Sequence, residues 1–268
     1  MKLTVLMDNN TYIDWYYLGE PAACYLLEDG ERTVLFDTGY SDAFLENARR
    51  LSVDLSRVSD IVLSHGHNDH TGGLDAFLNR FTQPVRLYAH PGVFLPKRHR
   101  GLNVGCPVSL AALPARVEAR LSAEPLAISE HIVFLGQIPR VYDFEKGRAI
   151  GEARRPDGTG WGPDELWDDT AVALAVPGGT FVVTGCAHSG ICNTVAAAKA
   201  QTGARVLGAF GGFHLFDADE KLDRTIQTLH ALGVDKLYPC HCTSLAVKCA
   251  FLSAFPVDEV GVGMTLEW

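Results

Sequence analysis

Apolar positions along the chain fall into short runs that alternate between strand-like and helix-like spacing. "KLTVLMD", "ACYLLED" and "TVLFDTG" read as strands, the last two joined as a hairpin across "DGER". Ser41 then caps a helix over "DAFLENARRL", and "DIVLSH" is a short buried strand. After "VRLYAHP" the periodicity fades, and residues 92–130 predict at best one short helix around "LPARVEARL". From His131 a second series begins, with "HIVFLG", "PRVYDF", "TAVALAV" and "TFVVTG" as strands and a polar, glycine-rich loop between the second and third. "SGICNTVAAAKAQTG" follows as a helix stopped by Gly203, then the strand "RVLGAFGG". A helix over 218–232 carries Leu222, Ile226 and Leu229 on one stripe, and the strand "DKLYP", the helix "SLAVKCAFLSAF" and the strand "EVGVGMTLEW" close the chain.

The two series form an imperfect duplication of a β-rich α/β unit with no low-complexity linker between them. The fold expected is α/β: an αββα sandwich of two mixed β-sheets with outer helices. It is expected as a single domain over 1–268 with a variable insertion at about 92–168. A globule of 268 residues buries roughly 75% of its unfolded surface, so a full core is available without disulfides.

Charge narrows the list of partners. Lys plus Arg is 23 against 32 Asp plus Glu, and the net charge of −9 opposes nucleic acid or an anionic membrane as partner. "KRHR" at 97–100 is the one dense basic run; it reads as a solvated loop, with Arg98 the candidate for an anionic substrate group. Seven scattered cysteines, an odd number, and an N-terminus without a long apolar centre indicate reduced thiols and a cytoplasmic protein. No apolar stretch reaches the roughly 20 residues of a membrane span. A small-molecule substrate and a homo-oligomeric state complete the expected partners.

"LSHGHNDHTGGL" then changes the picture, because it places His65, His67, Asp69 and His70 within six positions at the C-terminal end of a buried strand. Imidazole with carboxylate suits zinc, manganese or iron. His65 and His67 lie on one side of an extended segment and can share one ion, while Asp69 and His70 fall where the chain turns and can present a second pair. A polar turn with surface histidines is the bland alternative, and four ligand-type side chains in this spacing weigh against it.

"HGHNDH" resembles the HxHxDH pattern of the metallo-β-lactamase superfamily, and "VLFDTG" resembles its first motif. Together with "TGCAHSGICNTV", "GGFHL" and "PCHCTS", the chain is similar to the branch of 7,8-dihydropterin-6-methyl-4-(β-D-ribofuranosyl)aminobenzene-5′-phosphate synthase-like, dihydropteroate-synthase-related proteins. The resemblance implies that Asp37 supports the metal loop from behind and that His188 and His241 are ligands, with His214 and Glu20 contacting substrate. Two departures stand out. No Pro-Gly-His third motif occurs between residues 91 and 170, and Cys186 stands where a bridging aspartate is expected. His188 is therefore expected to complete a site with His65 and His67, and Asp69, His70 and His241 to hold a second ion, with Cys186 bridging or buried as a bystander. Cys240 and Cys242, flanking His241, read as core, and His90, His99, His131 and His230 as packing or surface residues.

The activity that the metal chemistry supports most broadly is that of a hydrolase using one or two divalent transition metals, zinc foremost, with manganese or iron as alternatives. A metal-bound hydroxide would attack a small-molecule ester, phosphoester or related bond, and Asp69 would orient it. Two further readings stand beside it. One is condensation of a dihydropterin diphosphate with a ribofuranosyl-aminobenzene phosphate, as in a methanopterin-type pathway. The other is a metal- or ligand-binding protein without turnover.

Overall fold

Strand pairing in the computed structural model, which describes all 268 residues, follows the hydrophobic runs closely. The chain divides into two compact units, one of Met1–Ala123, Arg148–Asp168 and Gly261–Trp268, the other of Glu124–Gly147 and Asp169–Val260.

In the first unit a seven-stranded mixed sheet runs in the order Thr265–Glu267, Lys2–Met7, Cys24–Asp29, Arg32–Phe36, Asp60–Leu63, Val85–Ala89, Val117–Leu121. The hairpin at Gly30 makes Cys24–Asp29 and Arg32–Phe36 antiparallel. From Arg32–Phe36 onward the neighbours are parallel, because each connection crosses back through a helix or a long segment. Asp60–Leu63 is buried at every position, which is why Ile61, Val62 and Leu63 read as a continuous apolar run rather than an alternation. Its core gathers Leu6, Leu35, Phe44, Ile61, Leu74 and Phe77.

Two expectations fail here. "LPARVEARL" is no helix: Val117–Leu121 pairs in parallel with Val85–Ala89, an edge position where ladder hydrogen bonds outweigh the helical propensity of Glu, Ala, Arg and Leu. The polar stretch after residue 145 is not all loop either. Glu152–Arg154 and Trp161–Pro163 form a hairpin that joins Lys97–His99 and Leu102–Asn103 in a separate four-stranded sheet.

That small sheet carries a buried ion triad. Lys97, 2% exposed, donates to Asp164 Oδ2 and Asp168 Oδ1, each at 2.9 Å. The second oxygen of Asp168 accepts the Gly66 N–H at 2.8 Å, which ties the insertion to the peptide between His65 and His67. Burial works against charge on both partners. The Asp168 and Asp164 carboxylates nevertheless hold Lys97 above its ordinary value, and Lys97 holds Asp168 below the usual carboxylate range.

In the second unit six strands pair in the order Lys236–Cys240, Val206–Gly212, Gly179–Thr184, Ala171–Val176, Ile132–Phe134, Leu126–Ala127, the first three parallel and the rest antiparallel. Helices Ile191–Thr202, Glu220–Leu232 and Leu245–Ala254 bury Val195, Leu222, Leu229 and Phe251 in its core. "PRVYDF" forms no strand; it ends in a 3₁₀ turn at Asp143–Glu145. This turn places the buried Glu145 carboxylate at the start of helix Ile191–Thr202, where its oxygens accept the Cys192 and Asn193 N–H groups at 2.9 and 2.8 Å. Those amides have no partner within their own helix, and a carboxylate there also meets the positive end of the helix dipole.

Two outcomes follow from these buried charges. Lys97→Met leaves two carboxylates buried without a counter-charge and should cost about 3–5 kcal/mol of unfolding free energy at neutral pH, read from urea denaturation. Asp168 sits below its unfolded value, so the wild-type pair stabilises above the ordinary carboxylate pKa and is lost on acidification. The gap between variant and wild type should therefore narrow as pH falls below about 4. Glu145→Ala should cost about 2 kcal/mol and speed hydrogen exchange at the Cys192 and Asn193 amides; unchanged exchange there would show that the cap contributes nothing.

Candidate metal centre

The opening cluster is held from underneath by one carboxylate. Asp37, at the end of strand Arg32–Phe36, has φ 58 and is fully buried. Its Oδ1 accepts the Ser64 N–H at 2.7 Å, and its Oδ2 accepts the Ser64 hydroxyl at 2.7 Å and lies 2.6 Å from His70 Nδ1. A ring whose Nδ1–H is committed in this way presents Nε2 as a neutral donor, with its tautomer and orientation fixed. The Ser64 hydroxyl also lies 3.0 Å from His65 Nδ1, so the same carboxylate fixes two of the rings.

His65 Nε2 and His67 Nδ1 face each other at 3.1 Å. Two imidazole nitrogens this close cannot both carry protons, and their separation approaches the roughly 3.5 Å that two nitrogens span on one tetrahedral zinc. Burial is the main influence on His67 and outweighs the opposing pull of Asp69, lowering its pKa to about 4 and keeping the ring in the neutral form that binds metal. Asp69, 30% exposed at its side chain, places Oδ2 3.6 Å from His70 Nε2. Gly66 between the first two histidines admits no side chain: a Cβ there would stand 2.4 Å from the Val93 carbonyl and 2.7 Å from Lys97 Cε. The first unit thus brings His65, His67, Asp69 and His70 together as the spacing predicts.

In the second unit the C-terminal ends of three adjacent parallel strands deliver the remaining candidates. Cys186 and His188 follow Gly179–Thr184, His214 follows Val206–Gly212, and His241 follows Lys236–Cys240. Ala187, His214 and His241 adopt φ 46, 50 and 48, a left-handed conformation that costs non-glycine residues on the order of 1 kcal/mol or more and gathers at functional sites. The loop bearing His188 is pinned on both sides, since Asp169 Oδ2 accepts the Ser189 N–H and Asn193 Nδ2 donates to the Ser189 carbonyl, each at 2.8 Å. The rings of His188 and His214 lie 4.3 Å apart, and one donor atom from each of Cys186, His188 and His214 falls within 4.8 Å of the others.

Glu20 and Arg98, the remaining sequence candidates, and His230 and His90, read as packing or surface residues, have partners of their own. Glu20 accepts the Tyr40 and Ser41 N–H groups, both at 3.0 Å, and the Ser41 hydroxyl at 2.6 Å, so it shapes the loop before helix Ala43–Arg50. Arg98 pairs with Glu152 at 2.8 Å and lies 4.2 Å over the Trp161 ring. His230 stacks on Phe255, and His90 Nδ1 accepts the Gly92 N–H at 3.0 Å. Beside the Lys97 triad opens a cavity of about 510 Å³, with Leu95, Pro156, Trp167, Arg154 and Arg155 in its wall. Sequence reasoning missed Lys97, Asp164, Asp168 and Asp169; the acidic pair "DD" directly before the strand "TAVALAV" was the one signal available.

The metallo-β-lactamase superfamily model matches residues 18–241. A 7,8-dihydropterin-6-methyl-4-(β-D-ribofuranosyl)-aminobenzene-5′-phosphate synthase of Methanocaldococcus jannaschii is 32% identical over 85% of this chain and 81% of its own. The crystal structure of Tm1679, described as a metal-dependent hydrolase of the β-lactamase superfamily, superimposes with a TM-score of 0.85 at 26% identity over 100% of this chain and 99% of that one. The metallo-β-lactamase fold protein YhfI of Bacillus subtilis, at 13% identity and a TM-score of 0.62 over 99% of both chains, shares the fold. The protein has the metallo-β-lactamase fold, and the chain belongs to the metallo-β-lactamase superfamily.

Proposed function

We propose that the protein is a metal-dependent hydrolase of a small-molecule ester, phosphoester or related bond, with metal ligands drawn from His65, His67, Asp69, His70, Cys186, His188 and His241. The observation that carries this reading is the "HGHNDH" loop, where Asp37 fixes ring tautomers and two buried imidazole nitrogens converge at 3.1 Å. A divalent ion, when bound to such donors, lowers the pKa of water toward neutrality and offsets negative charge developing on the substrate. The chain's own residues do the rest. Burial keeps His67 deprotonated, Asp37 holds His70 in one tautomer, and Asp69, the part-exposed carboxylate of the loop, orients the attacking water and accepts its hydrogen bond. The 510 Å³ cavity has the size of a small-molecule compartment, and its wall offers Arg154 and Arg155 to an anionic group of the substrate beside the carboxylates of Asp164, Glu165 and Asp168.

A second reading is favoured by the 32% identity to the methanococcal synthase. In it a dihydropterin diphosphate condenses with a ribofuranosyl-aminobenzene phosphate and pyrophosphate leaves. A divalent ion held by the same ligands would offset the charge of the leaving diphosphate, and no water would attack.

Elemental analysis of protein purified without chelator should find one or two transition-metal ions per chain, zinc foremost, and His188→Ala should lose one ion and most turnover while keeping its far-UV circular dichroism. No metal in the protein, and none taken up on reconstitution, would overturn the metal-dependent reading. Assay against a panel of esters, thioesters, lactones and phosphodiesters, with a parallel measurement of pyrophosphate release from a dihydropterin diphosphate and the aminobenzene phosphate, separates the two reactions. Water-dependent cleavage without condensation supports the hydrolase. Arg155→Ala should raise KM for an anionic substrate more than it lowers kcat, since the cavity wall contributes binding common to ground and transition states.

A further inference from the structure

Small side chains open the 510 Å³ cavity on one face of the insertion sheet. Ala153 pairs with Gly162 on one side and Lys97 on the other, so the three share a face, and all three line the cavity. The segment that follows, Asp164–Asp168, turns sharply. Leu166, 2% exposed, takes φ 55, a left-handed conformation costly for leucine, and its N–H donates to Asp164 Oδ1 at 3.1 Å. Trp167, next in the chain, is 45% exposed in the cavity wall, and its indole N–H donates to Glu165 Oε2 at 2.7 Å. An exposed tryptophan clamped both through its backbone and through its ring has no part in the metal loop.

We infer that Trp167 is the specificity residue of this cavity and selects a substrate that carries a flat aromatic or heteroaromatic ring. The inference rests on the cavity being the substrate compartment proposed above. Pro91, Pro156 and Pro163 stand in the same wall. Proline rings are stiff and apolar, and beside a clamped indole they form a wall that loses little conformational freedom when a ligand enters. An indole face attracts a second π-system beyond the area the two bury, a gain that a saturated ring of the same size lacks. Arg155 adds to this preference. Its Nε and Nη2 stand 3.3 and 3.9 Å from where a Gly162 Cβ would lie, so the guanidinium extends over the small-residue face, and such planes stack on aromatic rings. The carboxylates of the wall are spent on holding it: Asp164 and Asp168 accept from Lys97 and from the Leu166 and Gly66 amides, and Glu165 accepts from Trp167. With Lys97, Arg154 and Arg155 set against three carboxylates, ring shape and π character select the ligand more than net charge does.

Phenylphosphonate and cyclohexylphosphonate test this directly, because they carry the same charge at similar size, contain no ester to cleave, and differ in flatness and π character. Titrated into the full chain and followed by calorimetry, phenylphosphonate should bind roughly 2- to 12-fold more tightly than its saturated partner. Trp167→Ala should abolish the preference and Trp167→Phe should retain part of it, a rescue that a merely structural role for the indole would not show. Ala153→Leu fills the cavity from the sheet face without touching the Trp167 turn, and should abolish the preference even if Trp167→Ala does not fold. Equal binding of the two ligands by the wild-type chain, binding of neither, or a preference that survives both Trp167→Ala and Ala153→Leu overturns the inference. A Trp167-dependent preference in a protein that cleaves no member of the ester panel would refute the hydrolase and leave this site standing; cleavage without any ring preference would do the reverse.

Discussion

The buried Asp37 carboxylate is the constraint on which the metal loop of the first unit depends. Four ligand-type side chains in six positions cannot also hold their own backbone in place, because their polar atoms are aimed at a common point. Asp37 supplies what they cannot: it receives the Ser64 amide and hydroxyl and the His70 ring within 2.7 Å, and through Ser64 it reaches His65. A buried carboxylate with this many short hydrogen bonds is held in one orientation. Its own left-handed backbone is the conformational cost of pointing back under the loop.

Support from the opposite side comes through electrostatics rather than tautomer control. Asp168 could not remain ionised in the interior without Lys97, and Lys97 could not remain charged without Asp164 and Asp168. The triad therefore acts as one buried group in which a lysine offsets one of two carboxylate charges, Asp168 Oδ2 accepting the Gly66 amide and Asp164 Oδ1 the Leu166 amide. Buried ion groups of this kind contribute little net stability compared with apolar packing, so its value lies in the geometry it imposes on the histidine loop.

The second unit solves the same problem with backbone conformation. Its donors stand at the ends of three parallel strands, where the sheet stops satisfying the chain and loops take over. Three left-handed residues turn those ends sharply, and Asp169 and Asn193 hold the His188 loop in the resulting shape. Glu145 completes the arrangement by closing the start of the helix that follows.

What the sequence determined by itself was whatever short-range chemistry dictates. The buried strands were legible because apolar runs bounded by Gly and Asp have few other uses, and His65, His67, Asp69 and His70 were legible because their spacing alone brings them together. Tertiary structure decided the rest. Val117–Leu121 became a strand only because Val85–Ala89 offered an edge to pair with, and the polar insertion became a sheet only because Lys97–His99 lay beside Glu152–Arg154. Lys97 looked like part of a solvated basic run until two aspartates nearly seventy residues away in sequence enclosed it. Cys242 looked like a core residue until the turn at His241 redirected it. For the edge strand, the insertion and Lys97 the deciding partner was distant along the chain, and the energy that mattered, a ladder hydrogen bond or a buried charge pair, exists only once the fold has brought the two together.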